Sequence, residues 1–217
     1  MKQILIILML SIFSFSVFAQ SDKYQKAMES NVLKLNEQPD AAKLLDVANS
    51  FERIAEAEKT QWLPYYYAAY AQVLHGFMLS PEGGAPDKTD PVADKAEALL
   101  NRAQSIKGEH AEIYIIKKMI ANLRMMADPM SRYQTYGPAG AEALAAAKNM
   151  DPENPRVALL EGQDKFFTPE QFGGSKSEAK KLFEESIRRF GLKRPSNALE
   201  PDWGLEQAKY FYDMSSK

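Results

Sequence analysis

The stretch GAEALAAAKNMDPENPRVALLEG, Gly140 to Gly162, decides the fold. Gly140, Leu144 and Ala147 recur at spacings of four and three, so one helix face presents a small, a large and a small side chain in turn. Such a face lets a neighbouring helix approach closely around one bulky knob. Pro152 follows five residues after Ala147 and stops the helix. Asn154 and Pro155 suit the cap and first turn of the next helix, and Gly162 sets a further small residue on it. The segment therefore reads helix, tight turn, helix.

Working outward, the small-large-small order returns at Ala179, Phe183 and Ser186, at Ala96, Leu100 and Ala103, and in a looser form at Val47, Phe51 and Ile54. Ala, Leu, Glu and Lys dominate the periodic segments, and no segment alternates with a period of two. Nine helices are expected, near 22–36, 40–58, 62–79, 91–106, 110–127, 137–150, 154–167, 175–190 and 202–215. Breaks are expected at Pro39, from Ser80 to Pro91, at Pro129, at Gly137-Pro138, at Gly173-Gly174 and from Pro195 to Pro201. The fold class is all-α, in one domain.

These residues resemble the tetratricopeptide repeat, a helix-turn-helix unit that stacks into a superhelix. The resemblance implies a right-handed α-solenoid of about four TPR-like helix pairs, with 202–215 as a C-terminal capping helix whose polar face carries Glu206, Gln207, Lys209 and Asp213. The chain is longer than the repeat requires between Trp62 and Ala96, Ala111 and Gly140, and Pro155 and Ala179. The extra residues are expected between the two helices of a pair. The segments ANSFERIA, WLPYYYAAYA, TPEQFGG, SEAKKLFEESIRRF and PDWG are similar to repeat proteins exported by Bacteroidetes. That resemblance implies function by contact, since the repeat carries no catalytic residue. It also implies a concave strip made by successive first helices, on which Tyr66, Tyr70, Asn122, Arg156 and Gln163 fall.

The N-terminus reads as an export signal. Lys2 is followed by an apolar run from Ile4 to Val17, and small residues at Val17 and Ala19 suit cleavage before Gln20. Residues 1–19 are thus a signal peptide and 20–217 the mature, soluble domain, expected in the periplasm or secreted. Export and the absence of Cys together exclude disulfides, thiol catalysis and thiolate metal sites. A formal net charge of −2 gives no reason to expect nucleic acid or an anionic membrane as partner.

The chemical motifs are sparse. His75 and His110 lie on different helices without paired spacing, and His75 reads as a partly buried residue with one hydrogen bond. Gly173-Gly174-Ser175-Lys176-Ser177 lacks the spacing of a phosphate loop and reads as a turn followed by a capped helix. Asp87, Asp90, Asp94 and Glu97 lack calcium-loop spacing; Asp90 reads as an N-cap before Pro91. No nucleophile with a neighbouring base can be nominated, and no metal or cofactor is expected. Tyr65, Tyr66, Tyr67 and Tyr70 surround one helix, as packing between repeats or as a groove. The reading is a non-catalytic periplasmic binding or scaffold protein with a protein or peptide partner, self-association being open. The alternative is an accessory subunit holding a small molecule among Tyr66, Tyr70 and Arg156, and a further rival is a hydrolase built from acidic residues.

Overall fold

Ala- and Leu-rich periodicity produces helices throughout a computed structural model that describes residues 22–37, 40–80, 82–193 and 195–216. The expected signal peptide, 1–19, lies outside the described residues, as does Pro39. Among the described residues nine α-helices follow one another: α1 (22–36), α2 (Ala41–Ala57), α3 (Trp62–Leu79), α4 (Pro86–Lys107), α5 (Ala111–Ala127), α6 (Pro129–Met150), α7 (Pro155–Phe167), α8 (Lys176–Leu192) and α9 (Leu205–Met214). A short 3-10 turn, Glu170–Phe172, precedes α8. There is no strand among the described residues, and no described helix is long and apolar enough to cross a membrane.

From α2 onward each helix packs on its neighbour in the chain; α3 also touches α5, and α7 touches α9. The small-large-small positions form the seams. Ala96, Leu100 and Ala103, Gly140, Leu144 and Ala147, and Ala179, Phe183 and Ser186 are all buried, as are Val47 and Phe51. A Cβ on Gly140 would stand 3.2 Å from Lys118 Cδ and 3.4 Å from Ala121 Cβ, both on α5. A Cβ on Gly162 would stand 2.5 Å from the Phe183 ring. The glycines are therefore places where one helix accepts the side chain of another.

Two expected breaks are absent. Pro91 lies inside α4 and Pro138 inside α6, so both helices begin earlier than expected, at Pro86 and Pro129. In α4 and α6 the extra residues are spent as added helical turns, whereas those after α7 form the 3-10 turn and the loop to α8. A proline inside a helix frees the carbonyl four residues back. Here those carbonyls belong to the exposed residues Asp87 and Gln134, where water can satisfy them. Asp90 is consequently not a cap. It lies within α4 and receives a two-pronged hydrogen bond from Arg132 of α6, at 2.6 and 2.8 Å. Asp94 and Glu97 each pair with Arg124 at 2.7 Å, and no group of acids or His able to hold a metal occurs among the described residues.

Other local expectations hold. Asn154 caps α7 by accepting from the Arg156 amide, and Ser175 caps α8 by accepting from the Glu178 amide. His75 is buried, with Nδ1 2.8 Å from the Ala41 carbonyl. Thr168 closes α7, its amide donating to the Asp164 carbonyl.

Candidate functional site

Of the five residues expected on a concave strip, three come together beneath the chain's own C-terminal segment. The segment after Pro195 lies against α3 and α7 before α9 begins. Tyr67 donates to the Leu199 carbonyl at 3.0 Å. Trp203 stacks on Tyr70 with ring centroids 4.2 Å apart and donates its indole N–H to the Tyr66 hydroxyl at 2.9 Å. Tyr66 in turn donates to Glu112 at 2.9 Å, and Arg156 grips Glu112 with Nε and Nη2 and the Trp203 carbonyl with Nη1. Gly204 has φ +113 and lies where a Cβ would meet Phe190 and Leu159, so the strap turns there only because the residue has no side chain.

Electrostatics agree with a sealed core. Burial, then the Glu112 charge, hold the Tyr66 hydroxyl protonated far above the usual phenol range. Burial alone would disfavour the Arg156 charge, but Glu112 outweighs it and keeps the guanidinium charged. Tyr66, Tyr70 and Arg156 are therefore buried beneath the strap. Asn122 and Gln163 remain half-buried and apart from this network. The strap was legible only as a Pro-rich connection; nothing in its composition says what it covers.

The described surface has another concavity with the character of a ligand site. A groove of about 700 Å³ runs between α1 and α2. Its volume falls within the roughly 300–1,000 Å³ of small-molecule sites. On α1 it is lined by Lys23, Tyr24, Ala27, Asn31 and Lys34, a single helical face. On α2 it is lined by Ser50, Arg53, Ile54 and Ala57, with Glu58 at the end. From Lys23 to Lys34 the α1 face spans about 16 Å at ~1.5 Å per residue. Lys23, Lys34 and Arg53 have no carboxylate partner among the described residues; Arg53 donates to Ser50 Oγ at 2.8 Å. The walls between these charges are Ala27, Ile54 and Ala57. Tyr24 carries the one buried side-chain polar atom among the described residues without a hydrogen-bond partner. Burial first, and the Glu58 charge second, push its hydroxyl up to about 12. Sequence reasoning missed this groove. The recurrence of Lys23, Ala27, Asn31 and Lys34 on one face was the available signal, and it looks like any solvated helix face.

A third feature is a cluster of exposed rings. Phe167, 66% exposed, and Tyr210, 59% exposed, flank Phe211, with centroid distances to that ring of 5.5 and 5.3 Å.

No protein-family model matches the chain, and no curated protein matches it. Among solved structures the chain is similar to the HusA haemophore from Porphyromonas gingivalis, at 32% identity and a TM-score of 0.78, over 88% of this chain and 92% of that one.

Proposed function

The chain belongs to the family of the HusA haemophore, and on that premise we propose that it is a non-catalytic carrier of a flat, apolar, anionic ring of the haem class, taken up in the α1–α2 groove. The single observation that carries the site is the set of three cations that lack carboxylate partners among the described residues, around apolar walls. A haem presents an apolar body and carboxylates at its edge. The body suits Ala27, Ile54 and Ala57, and the carboxylates suit Lys23, Lys34 and Arg53, with Arg53 able to form a forked hydrogen bond. The small-molecule reading thus replaces a protein or peptide partner as the main one. Export belongs to this reading: cleavage after Ala19 leaves Gln20 as the first residue, which mass spectrometry of the purified protein checks. Packing of each helix on its neighbour in the chain supports an α-solenoid of tetratricopeptide-like pairs, whose right-handed course is part of the proposal.

The test is titration with ferric protoporphyrin IX, followed by tryptophan quenching. The paired charge reversal Lys34→Glu with Arg53→Glu is expected to weaken binding about tenfold or more, an effect of ~1.4 kcal/mol. Added salt should weaken wild-type binding as well. A second reading rests on the exposed rings of Phe167 and Tyr210, against which a macrocycle could stack. If Phe167→Ala with Tyr210→Ala removes binding while the charge reversal leaves it intact, the ring lies on α7 and α9 and the groove reading fails.

A further inference from the structure

We infer that the end of the molecule where α7, α8 and α9 meet is a lipid-docking surface. Its exposed rings enter the boundary between headgroups and acyl chains, and lysines of α8 meet anionic headgroups. Four aromatic side chains are exposed among the described residues, and three of them belong to this end: Phe167, Phe172 and Tyr210, at 66%, 71% and 59%. Single exposed apolar residues are ordinary on a protein surface, whereas a gathering of large rings marks an interaction site.

The chain order explains the gathering. α7 ends at Phe167, and the loop that follows folds back on it. The Ser175 amide donates to the Lys165 carbonyl at 2.9 Å, and the Gly174 amide to the Pro169 carbonyl at 3.2 Å. Gly174 permits this fold-back, since a Cβ there would stand 1.7 Å from the Thr168 carbonyl oxygen. The 3-10 turn that carries Phe172 is thereby held beside the end of α7. α9 returns to the same place. Its Phe211 stacks on the buried Phe183 of α8 at 5.5 Å and meets Phe167 edge-on at 5.5 Å. The exposed rings thus stand on a packed aromatic base and have little freedom to lose on burial.

Charge selects the partner. Between Lys165 and Lys181 stand four Lys and two Glu, a local charge of +2 in a chain whose formal net charge is −2. The whole-chain charge hides this excess. Glu178 is taken by Lys165 at 2.7 Å. Lys176 and Lys180 have no carboxylate partner among the described residues. Their ammonium groups lie 5.9 Å from the Phe166 ring centroid and 5.0 Å from that of Tyr212. Apolar rings and unpaired cations on one surface are what a peripheral lipid site combines, and tyrosine suits the same boundary. A protein partner seats its anchors in pockets. The grooves described for this chain lie elsewhere, between α1 and α2 and between α1 and the strap.

The experiment is co-sedimentation of the exported, purified protein with vesicles of phosphatidylcholine, alone or mixed with phosphatidylglycerol. Wild type is expected to bind the mixed vesicles about tenfold more tightly than phosphatidylcholine alone. Phe167→Ser with Phe172→Ser and Tyr210→Ser should bind neither. Lys176→Glu with Lys180→Glu should lose the preference for the anionic lipid. Tyr133→Ser, which removes the fourth exposed ring, on α6, should bind like wild type. Far-ultraviolet spectra should stay at wild type for all, since these side chains lie at the surface. The ring variant should also titrate with ferric protoporphyrin IX like wild type in buffer without vesicles. A wild type that ignores both vesicles overturns the inference and leaves the rings to a protein partner. A ring variant that sediments like wild type overturns it too. Loss of porphyrin binding by that variant would make the rings the stacking site of the macrocycle, and the lipid reading would fall.

Discussion

Arg156 of α7 and Glu112 of α5 form a buried, forked ion pair, Nη2 to Oε1 at 2.5 Å, with the two residues 5% and 3% exposed. Glu112 also accepts from Tyr66 and from Asn154, so four side chains from three helices and the cap of α7 meet at one carboxylate. The pair is what fastens the strap, since Arg156 holds the Trp203 carbonyl and Tyr66 receives the Trp203 indole N–H.

Arg156→Ala should therefore act on stability. Removing one partner of a buried pair leaves the other charge uncompensated, at a cost of ~3–5 kcal/mol. Urea unfolding followed by helicity measures it, and the emission of Trp203 should shift towards that of a hydrated indole. Gln163→Ala, on the same expected strip but outside the network, should change stability by less than about 1 kcal/mol. Equal unfolding midpoints for the two variants would mean that the strap is not held by this pair.

The glycines make a prediction with two signs. Gly162→Ala sets a methyl 2.5 Å from the Phe183 ring, a large and buried neighbour. Overpacking of this kind costs ~1–3 kcal/mol. Gly140→Leu should cost a similar amount, because Lys118 and Ala121 occupy the space. Gly191→Ala meets nothing within 4 Å near the end of α8 and should hold or gain up to about 1 kcal/mol from helix propensity. Thermal unfolding of the three variants checks the order. A loss at Gly191 as large as that at Gly162 would contradict it.

The bond between α4 and α6 should respond to acid. Hydrogen bonds from Arg132 hold the Asp90 carboxyl below its ordinary 3.8, against a smaller opposing effect of partial burial. A carboxyl depressed in the folded state stabilises above its ordinary pKa, and the gain is lost as pH falls through the folded value. Wild type should thus melt above Asp90→Asn at about pH 7, and the gap should close below the ordinary carboxylate range. Melting curves across that interval decide it; a gap that persists at the acid end would show that Asp90 acts through packing instead of charge.

The local and periodic part of the fold is legible in the order of residues. Gly140, Leu144 and Ala147 have a helical period and a size pattern that only close helix packing satisfies, and Asn154 and Ser175 cap because their side chains reach amides two or three residues on. These interactions span one or two turns, so spacing alone reveals them. The prolines show the limit of that reasoning. Pro91 and Pro138 look like breaks, yet each sits on an exposed face where the freed carbonyl meets water, and exposure is set by what packs on the other side. The repeat resemblance puts Tyr66, Tyr70 and Arg156 on one open strip, but whether they are open depends on Trp203, which lies 47 residues beyond Arg156. Tyr24 is the same case in reverse: its neighbours in sequence do not distinguish it from any helical tyrosine, and only the tertiary structure decides that its hydroxyl has no partner. A missing hydrogen bond is a property of every element around an atom at once, so it cannot be read from the order of residues on one helix.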